Sequence, residues 1–136
     1  ENADAFFYRG RCKHNLEDLP GGIADFTKTI ELAPDFADAY FFRAVLLMGT
    51  FKLKEAQTDF KKVIELVPDS PDSYFYLGLI NTISMDFKGS LPYLNKAIEL
   101  NPEYGEAALL PRRVYSNRYL PRRRRPGCDV FQYCGR

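Results

Sequence analysis

Histidine and tryptophan are the scarcest residues of this sequence, which has one histidine, His14, and no tryptophan. A single histidine leaves no pair of imidazoles to share a metal ion or a proton-transfer step. The sequence also lacks a Gly-x-Ser-x-Gly motif and a glycine-rich phosphate loop, which argues against a nucleophile elbow and a nucleotide-binding loop. We therefore predict no catalytic residues, no metal ligands and no cofactor, and we expect a protein that is not an enzyme.

Cysteines and long apolar runs are also scarce, and both bear on where the protein works. The three cysteines are Cys12, Cys128 and Cys134. The last two have no histidine nearby, whereas structural zinc needs two close pairs of ligands. A disulfide between them stays open, but the odd count favours a reducing, cytoplasmic setting. No apolar run approaches the ~18 residues of a membrane span, so none is predicted.

The charge is unevenly distributed along the chain. Residues 1–108 contain 11 Lys and Arg against 17 Asp and Glu, whereas residues 109–136 contain eight Arg, no Lys and one Asp. The first part therefore has a net charge of −6 (11 − 17) and the second of +7 (8 − 1), which together give the net charge of +1. The abrupt change in both the sign and the type of charge indicates a boundary near residue 110.

One short phrase recurs along the chain. Residues 30–34, 64–68 and 98–102 each read Ile-Glu-Leu-x-Pro, at an interval of 34 residues. Each copy is typical of a helix end, because the proline cannot continue the helix. A fixed interval of this length indicates a repeat array.

Other columns align on the same period when each proline is placed at position 32. Positions 4, 8, 17, 20 and 24 hold Phe6, Tyr40 and Tyr74; Gly10, Ala44 and Gly78; Leu19, Leu53 and Phe87; Gly22, Ala56 and Ser90; Phe26, Phe60 and Leu94. These columns resemble the tetratricopeptide repeat (TPR), a helix–turn–helix of 34 residues. The resemblance covers roughly residues 3–103. It implies an all-α, right-handed superhelical solenoid of three repeats with a partial fourth.

The period also predicts helix bounds and domains. Helices are expected at 3–15, 20–33, 37–49, 53–66, 71–84 and 87–100. Asp35 and Asp69 are expected to cap the helices that follow them. The predicted array occupies 1–110, with repeats at about 3–36, 37–70 and 71–104 and the start of a fourth at 105–110. Pro111 interrupts that start, because proline inside a helix removes a hydrogen bond and clashes with the preceding turn.

Two interpretations of the tail, residues 111–136, stay open. The run Arg122, Arg123, Arg124 and Arg125 is a candidate basic arm for nucleic acid, an acidic protein or nuclear import. Alternatively, the tail is not native to the repeat protein. The loss of the period where lysine gives way to arginine favours the second interpretation. The array also lacks a legible polar cap, which leaves self-association through its C-terminal edge open.

The resemblance implies that positions 2, 5, 9 and 12 of the first helix in each repeat line a concave groove. These positions hold Asp4, Phe7, Arg11, His14, Asp38, Phe41, Val45, Met48, Asp72, Phe75, Leu79 and Thr82. They predict a ladder of three phenylalanines beside a row of aspartates. An exposed apolar groove usually marks an interaction site. The alternative is that neighbouring aromatic residues cover the ladder.

The family's chaperone-tail adaptors hold a terminal carboxylate with Lys, Asn and Arg at defined positions. Those positions hold Phe7, Arg11, Phe42, Asp72 and Tyr76 here, so the sequence argues against that clamp. We expect a non-catalytic scaffold or adaptor that binds an apolar peptide or helix in the groove. The alternatives are binding of nucleic acid or an acidic partner through the tail, of which nucleic acid is disfavoured, and a regulatory segment of a larger enzyme.

Overall fold

The computed structural model describes residues 1–104, and within that range the chain forms six helices and no strand. The helices are α1 (Ala3–Asn15), α2 (Leu19–Leu32), α3 (Ala37–Gly49), α4 (Leu53–Leu66), α5 (Pro71–Ile83) and α6 (Phe87–Leu100). Three helix pairs therefore repeat at the predicted interval, which confirms an all-α solenoid. The fourth-repeat start, the tail and Arg122–Arg125 lie outside the described residues.

The small residues at positions 8 and 20 let the two helices of each pair approach closely. A Cβ added at Gly78 would lie 2.6 Å from Leu94 Cγ, and one added at Gly10 would lie 3.0 Å from Phe26 Cε1. Across the third pair, the Ser90 hydroxyl donates to the Gly78 carbonyl at 2.8 Å. Since Cβ atoms do not approach other atoms this closely, larger residues in these columns would push the helices apart.

Ala56 occupies the same crossing in the middle pair and is completely buried. We expect Ala56→Leu to overpack the crossing and to lower the free energy of unfolding by ~1–3 kcal/mol. The matched change at the exposed Lys61, Lys61→Leu, should stay within ~0.5 kcal/mol. Urea unfolding followed by circular dichroism measures both values. Equal losses at the two sites would contradict the assigned crossing.

The turn inside each pair has one conformation. Glu17, Phe51 and Met85 occupy position 15, and each has a positive φ of 58–62°. This left-handed conformation is uncommon outside glycine and asparagine. Phe51 is nevertheless 83% exposed, so its side chain gains little from packing. The turn geometry is therefore imposed by the helices on either side.

Capping differs from the sequence-based expectation. Asp35 and Asp69 do not cap: the N-cap residues of α3 and α5 are Phe36 and Ser70, and neither makes a side-chain cap hydrogen bond. The caps with such bonds lie elsewhere, where Asn2 Oδ1 accepts from Asp4 N, Asp18 Oδ1 from Gly21 N and Asp86 Oδ1 from Gly89 N. The prediction was wrong because helices α3 and α5 begin one residue later than a cap at position 33 requires.

The pairs stack in chain order. Each helix packs mainly on its neighbours in sequence, and α1 also contacts α3. The central core combines Ala44, Leu47, Ala56 and Phe60 of the middle pair with residues of α5. Within residues 1–104, no helix is both long enough and apolar enough to cross a bilayer. The stack therefore places the first helices of the pairs, α1, α3 and α5, side by side.

Candidate functional site

The first helices of the three pairs present a shared surface, which we call the A-helix face. We define it by half-buried side chains at positions 5, 6, 9 and 12: Tyr8, Arg11, His14, Phe41, Phe42, Val45, Met48, Tyr76, Leu79 and Thr82. Contacts join neighbouring repeats across it. The Arg11 guanidinium lies 5.0 Å from the centre of the Phe42 ring, and the Phe41 and Tyr76 ring centres lie 5.7 Å apart. The face is thus continuous and largely apolar.

The expected phenylalanine ladder is not a continuous exposed surface. Phe7 is 5% exposed and Phe75 is 6% exposed, so both belong to the packed interior and their assignment to an open groove is corrected. An aromatic ring from the next repeat lies against each of them. The Phe7 and Phe36 ring centres are 4.9 Å apart, and those of Phe75 and Tyr104 are 5.0 Å apart.

Phe41 differs from the other two because its covering position holds a small residue. Phe36 and Tyr104 both occupy position 0 of the 34-residue period, and the corresponding residue for Phe41 is Ser70. The Ser70 hydroxyl hydrogen-bonds instead with the Ser73 hydroxyl at 2.9 Å. Phe41 therefore stays half-buried. Within residues 1–104 it is the one ladder position with no aromatic side chain at position 0 against it, although Tyr76 of the next repeat contacts its ring edge to face.

The predicted aspartate row borders this face. Asp4 and Asp38 are exposed and Asp72 is half-buried. Each lies four residues before a position-6 aromatic, which places the two side chains on one helix face. Burial, with a further contribution from the Asp72 charge, raises the pKa of Tyr76 to about 12. The carboxylate of Asp72 thus acts electrostatically on the A-helix face.

Two ion pairs, each with a buried carboxylate and a more exposed arginine, were not predicted from the sequence. Arg43 donates from Nε and Nη2 to the two Asp59 oxygens, at 2.7 Å each, and Arg43 Nη1 donates to Thr27 Oγ1 at 3.2 Å. Arg9 holds Asp25 in the same bidentate way at 2.8 and 2.6 Å. The signal was present, since each Arg and Asp recurs at 34 residues. These pairs join the two helices of a repeat.

These ion pairs shift the pKa values of their members. Burial by itself would raise the pKa of Asp25, but hydrogen bonds from Arg9 and Lys13 and their positive charges outweigh it, so that the pKa lies below its usual value. The hydrogen bond to Asp59 raises the pKa of Arg43 despite partial burial. The third repeat has no such pair, because Leu77 and Tyr93 occupy the two positions.

His14 provides a titratable probe of the face. Burial, followed by the nearby Arg11 charge, lowers the pKa of His14 below 6.5. The folded state disfavours the charged imidazole. We therefore expect the contribution of His14 to the free energy of unfolding to be fully present above pH 6.5 and to be lost as the pH falls towards the pKa of His14 in the folded state. Because His14 is the sole histidine, an NMR titration reads it directly, and His14→Gln should remove this part of the pH dependence. A folded-state pKa at or above the unfolded one would contradict the burial of this side chain.

The described residues offer little for a cofactor or metal. Within 1–104, no group of three or more His, Cys, Asp or Glu side chains could hold a metal ion. Cys12 is half-buried rather than fully buried. A cleft of about 280 Å³ lies between α2, α3 and α4, and Arg43 and Asp59, which bind each other, line it together with Leu47.

Comparisons with known proteins agree with this architecture. Residues 37–70 match a family model described as a tetratricopeptide repeat. No curated protein matches the sequence. Among solved structures, YrrB, described as a TPR protein with an unusual peptide-binding site, is 26% identical, with 81% of this chain and 58% of YrrB covered and a TM-score of 0.75.

Two further structures share the fold at lower identity. MamA is 20% identical, with 77% of this chain and 61% of MamA covered and a TM-score of 0.72. The TPR2B domain of yeast Sti1, solved in complex with pHsp70, is 24% identical, with 78% of this chain and 85% of that domain covered and a TM-score of 0.70. The chain thus spans about three fifths of the length of MamA and YrrB.

Proposed function

We propose that this chain of tetratricopeptide repeats is a non-catalytic protein-interaction scaffold that binds an apolar peptide or helix with basic flanks on its A-helix face. The observation that carries the proposal is the half-open ring of Phe41 in the middle of that face. The peptide-binding site named for YrrB and the pHsp70 complex of the yeast Sti1 domain support the same class of function. Neither identifies the ligand of this chain.

The binding mechanism starts at Phe41, against which Ser70 places no aromatic ring. An apolar side chain of the ligand packs there and contacts Phe41, Tyr76 and Val45, burying apolar surface on both partners. Removal of this surface from water supplies most of the affinity, as for aromatic anchors at the centre of other interfaces. The exposed carboxylate of Asp38 favours Lys or Arg on the flanks and repels acidic ligands.

The proposal predicts a large loss of binding for Phe41→Ala. The probe is a fluorescently labelled synthetic peptide with Leu and Phe at its centre and Lys on both flanks, titrated with the full chain and followed by anisotropy. Loss of the central aromatic anchor should weaken binding by about 2 kcal/mol, or roughly thirtyfold in Kd. The helical circular dichroism signal should stay close to that of the unchanged protein.

Two matched variants separate the role of Ser70 from that of the Phe41 ring. Ser70→Phe places a phenylalanine directly before α5, as Phe36 stands directly before α3. It should therefore cover Phe41 and weaken binding of the same peptide while Phe41 stays in place. Asp38→Lys should weaken the Lys-flanked peptide and strengthen a Glu-flanked one of equal apolar content. If Phe41→Ala and Ser70→Phe both leave the Kd of the peptide unchanged, the A-helix face is not the binding surface.

A further inference from the structure

We propose that residues 112–125 of this same chain occupy the A-helix face and compete there with outside ligands. This inference rests on the proposed function, because it names an internal ligand for the same surface, and it takes the first interpretation of the tail, as a basic arm native to the chain. It requires three conditions: a complementary charge on the face, a segment of matching chemistry and a connection long enough to join them.

The edge of the array beside the A-helix face is uniformly acidic. The loops between pairs and the first turns of α1, α3 and α5 comprise residues 1–8, 33–42, 67–76 and 101–104. Together they contain seven Asp and Glu and no Lys, Arg or His. Asp35, Asp69 and Glu103 at position 33 are exposed, and they recur at the same 34-residue interval as Asp4, Asp38 and Asp72. An apolar surface with such an edge attracts apolar ligands that carry cationic groups.

The proposed segment has this chemistry. Residues 112–125 read Arg-Arg-Val-Tyr-Ser-Asn-Arg-Tyr-Leu-Pro-Arg-Arg-Arg-Arg, with seven Arg and no acidic residue. Val114, Tyr115, Tyr119 and Leu120 lie between the two groups of arginine. The segment therefore offers apolar side chains that can pack beside Phe41 and guanidinium groups that complement the acidic edge, and guanidinium groups also stack favourably on aromatic rings.

The connection between the array and the segment is long enough. The last described residue, Tyr104, stacks on Phe75 of α5, so the segment is joined to the chain beside the third repeat of the face. Seven residues, 105–111, separate Tyr104 from the segment, and at about 3.4 Å per fully extended residue this connection spans at most roughly 27 Å. Three neighbouring helices span about 20 Å at ordinary interaxial distances. The segment can thus reach the middle repeat.

The test uses the full chain and a labelled synthetic peptide of residues 112–125. The full chain should bind this peptide at least tenfold more weakly than a variant in which Arg122, Arg123, Arg124 and Arg125 are all replaced by Glu, because the variant leaves the face vacant. The difference should shrink as salt is raised, since attraction between exposed charges is screened. Adding Phe41→Ala to the Glu variant should remove most of the gained affinity.

The outcomes separate this inference from the proposed function. Equal Kd values for the full chain and the Glu variant would overturn the internal contact, while loss of the Lys-flanked peptide in Phe41→Ala would still uphold the binding face. A Glu variant that does not bind the 112–125 peptide would overturn the inference as well. If the tenfold difference disappears on dilution and sedimentation shows a dimer, a second copy supplies the segment and the internal contact is again overturned.

Discussion

Replacing Phe60 by alanine is expected to lower the free energy of unfolding by about 4 kcal/mol, as for other large aromatic residues in tightly packed cores. Phe60 is completely buried in the middle pair. Its ring centre lies 5.1 Å from that of Tyr76, with the two planes nearly parallel, and 5.6 Å from that of Phe41. Alanine would leave a cavity between repeats that the flanking helices can close only in part.

The third repeat supplies the control for this change. Leu94 occupies the position of Phe60 there, so Phe60→Leu keeps an apolar side chain that the fold already accepts and should cost less than ~1.5 kcal/mol. Urea unfolding of the full chain, followed by circular dichroism, measures both variants. Similar losses for alanine and leucine would show that the cavity does not dominate the effect and would contradict the assigned packing.

Arg43→Ala is expected to cost about 3 kcal/mol, because it leaves the buried carboxylate of Asp59 without its partner. The Asp59 side chain is 6% exposed, and Arg43 Nε lies 2.7 Å from its Oδ2. Removing one member of a buried pair costs more than the pair itself contributes, since the remaining charge has lost its hydration.

Replacing both members should recover much of this stability. The double variant Arg43→Leu and Asp59→Tyr gives the middle repeat the residues that the third repeat has at these positions, Leu77 and Tyr93. Replacing a buried ion pair by apolar residues of similar volume is often neutral or stabilising. The double variant should therefore unfold at a higher urea concentration than Arg43→Ala. If it is less stable than the single variant, the pair has a structural role that an apolar contact cannot replace.

The helices could be predicted from the sequence because their signals are local and repeated. The proline at position 32 ends a helix in each repeat, and the small residues at positions 8 and 20 are required wherever two helices cross closely. Gly78 shows this directly, since Leu94 leaves no room for a Cβ. Three copies of each signal, such as Gly10, Ala44 and Gly78 in one column, fix the register.

The state of the phenylalanine ladder does not follow from the ladder position alone, because it depends on contacts between repeats. Phe7, Phe41 and Phe75 share one position, yet Phe36 and Tyr104 cover two of them and Ser70 leaves the third half-open. The deciding column is position 0, at which the sequence alternates between aromatic and small residues. Reading that column against position 5 would have identified Phe41 as the distinctive member.

The stacking of helices in chain order also determines how this protein acquires its structure. The main contacts join helices that are adjacent along the chain, so residues that meet in space are seldom far apart in sequence. Short loops close quickly, and chains rich in local contacts fold in microseconds to milliseconds. During synthesis each pair can dock on the preceding one as it emerges from the ribosome, without waiting for the rest of the chain.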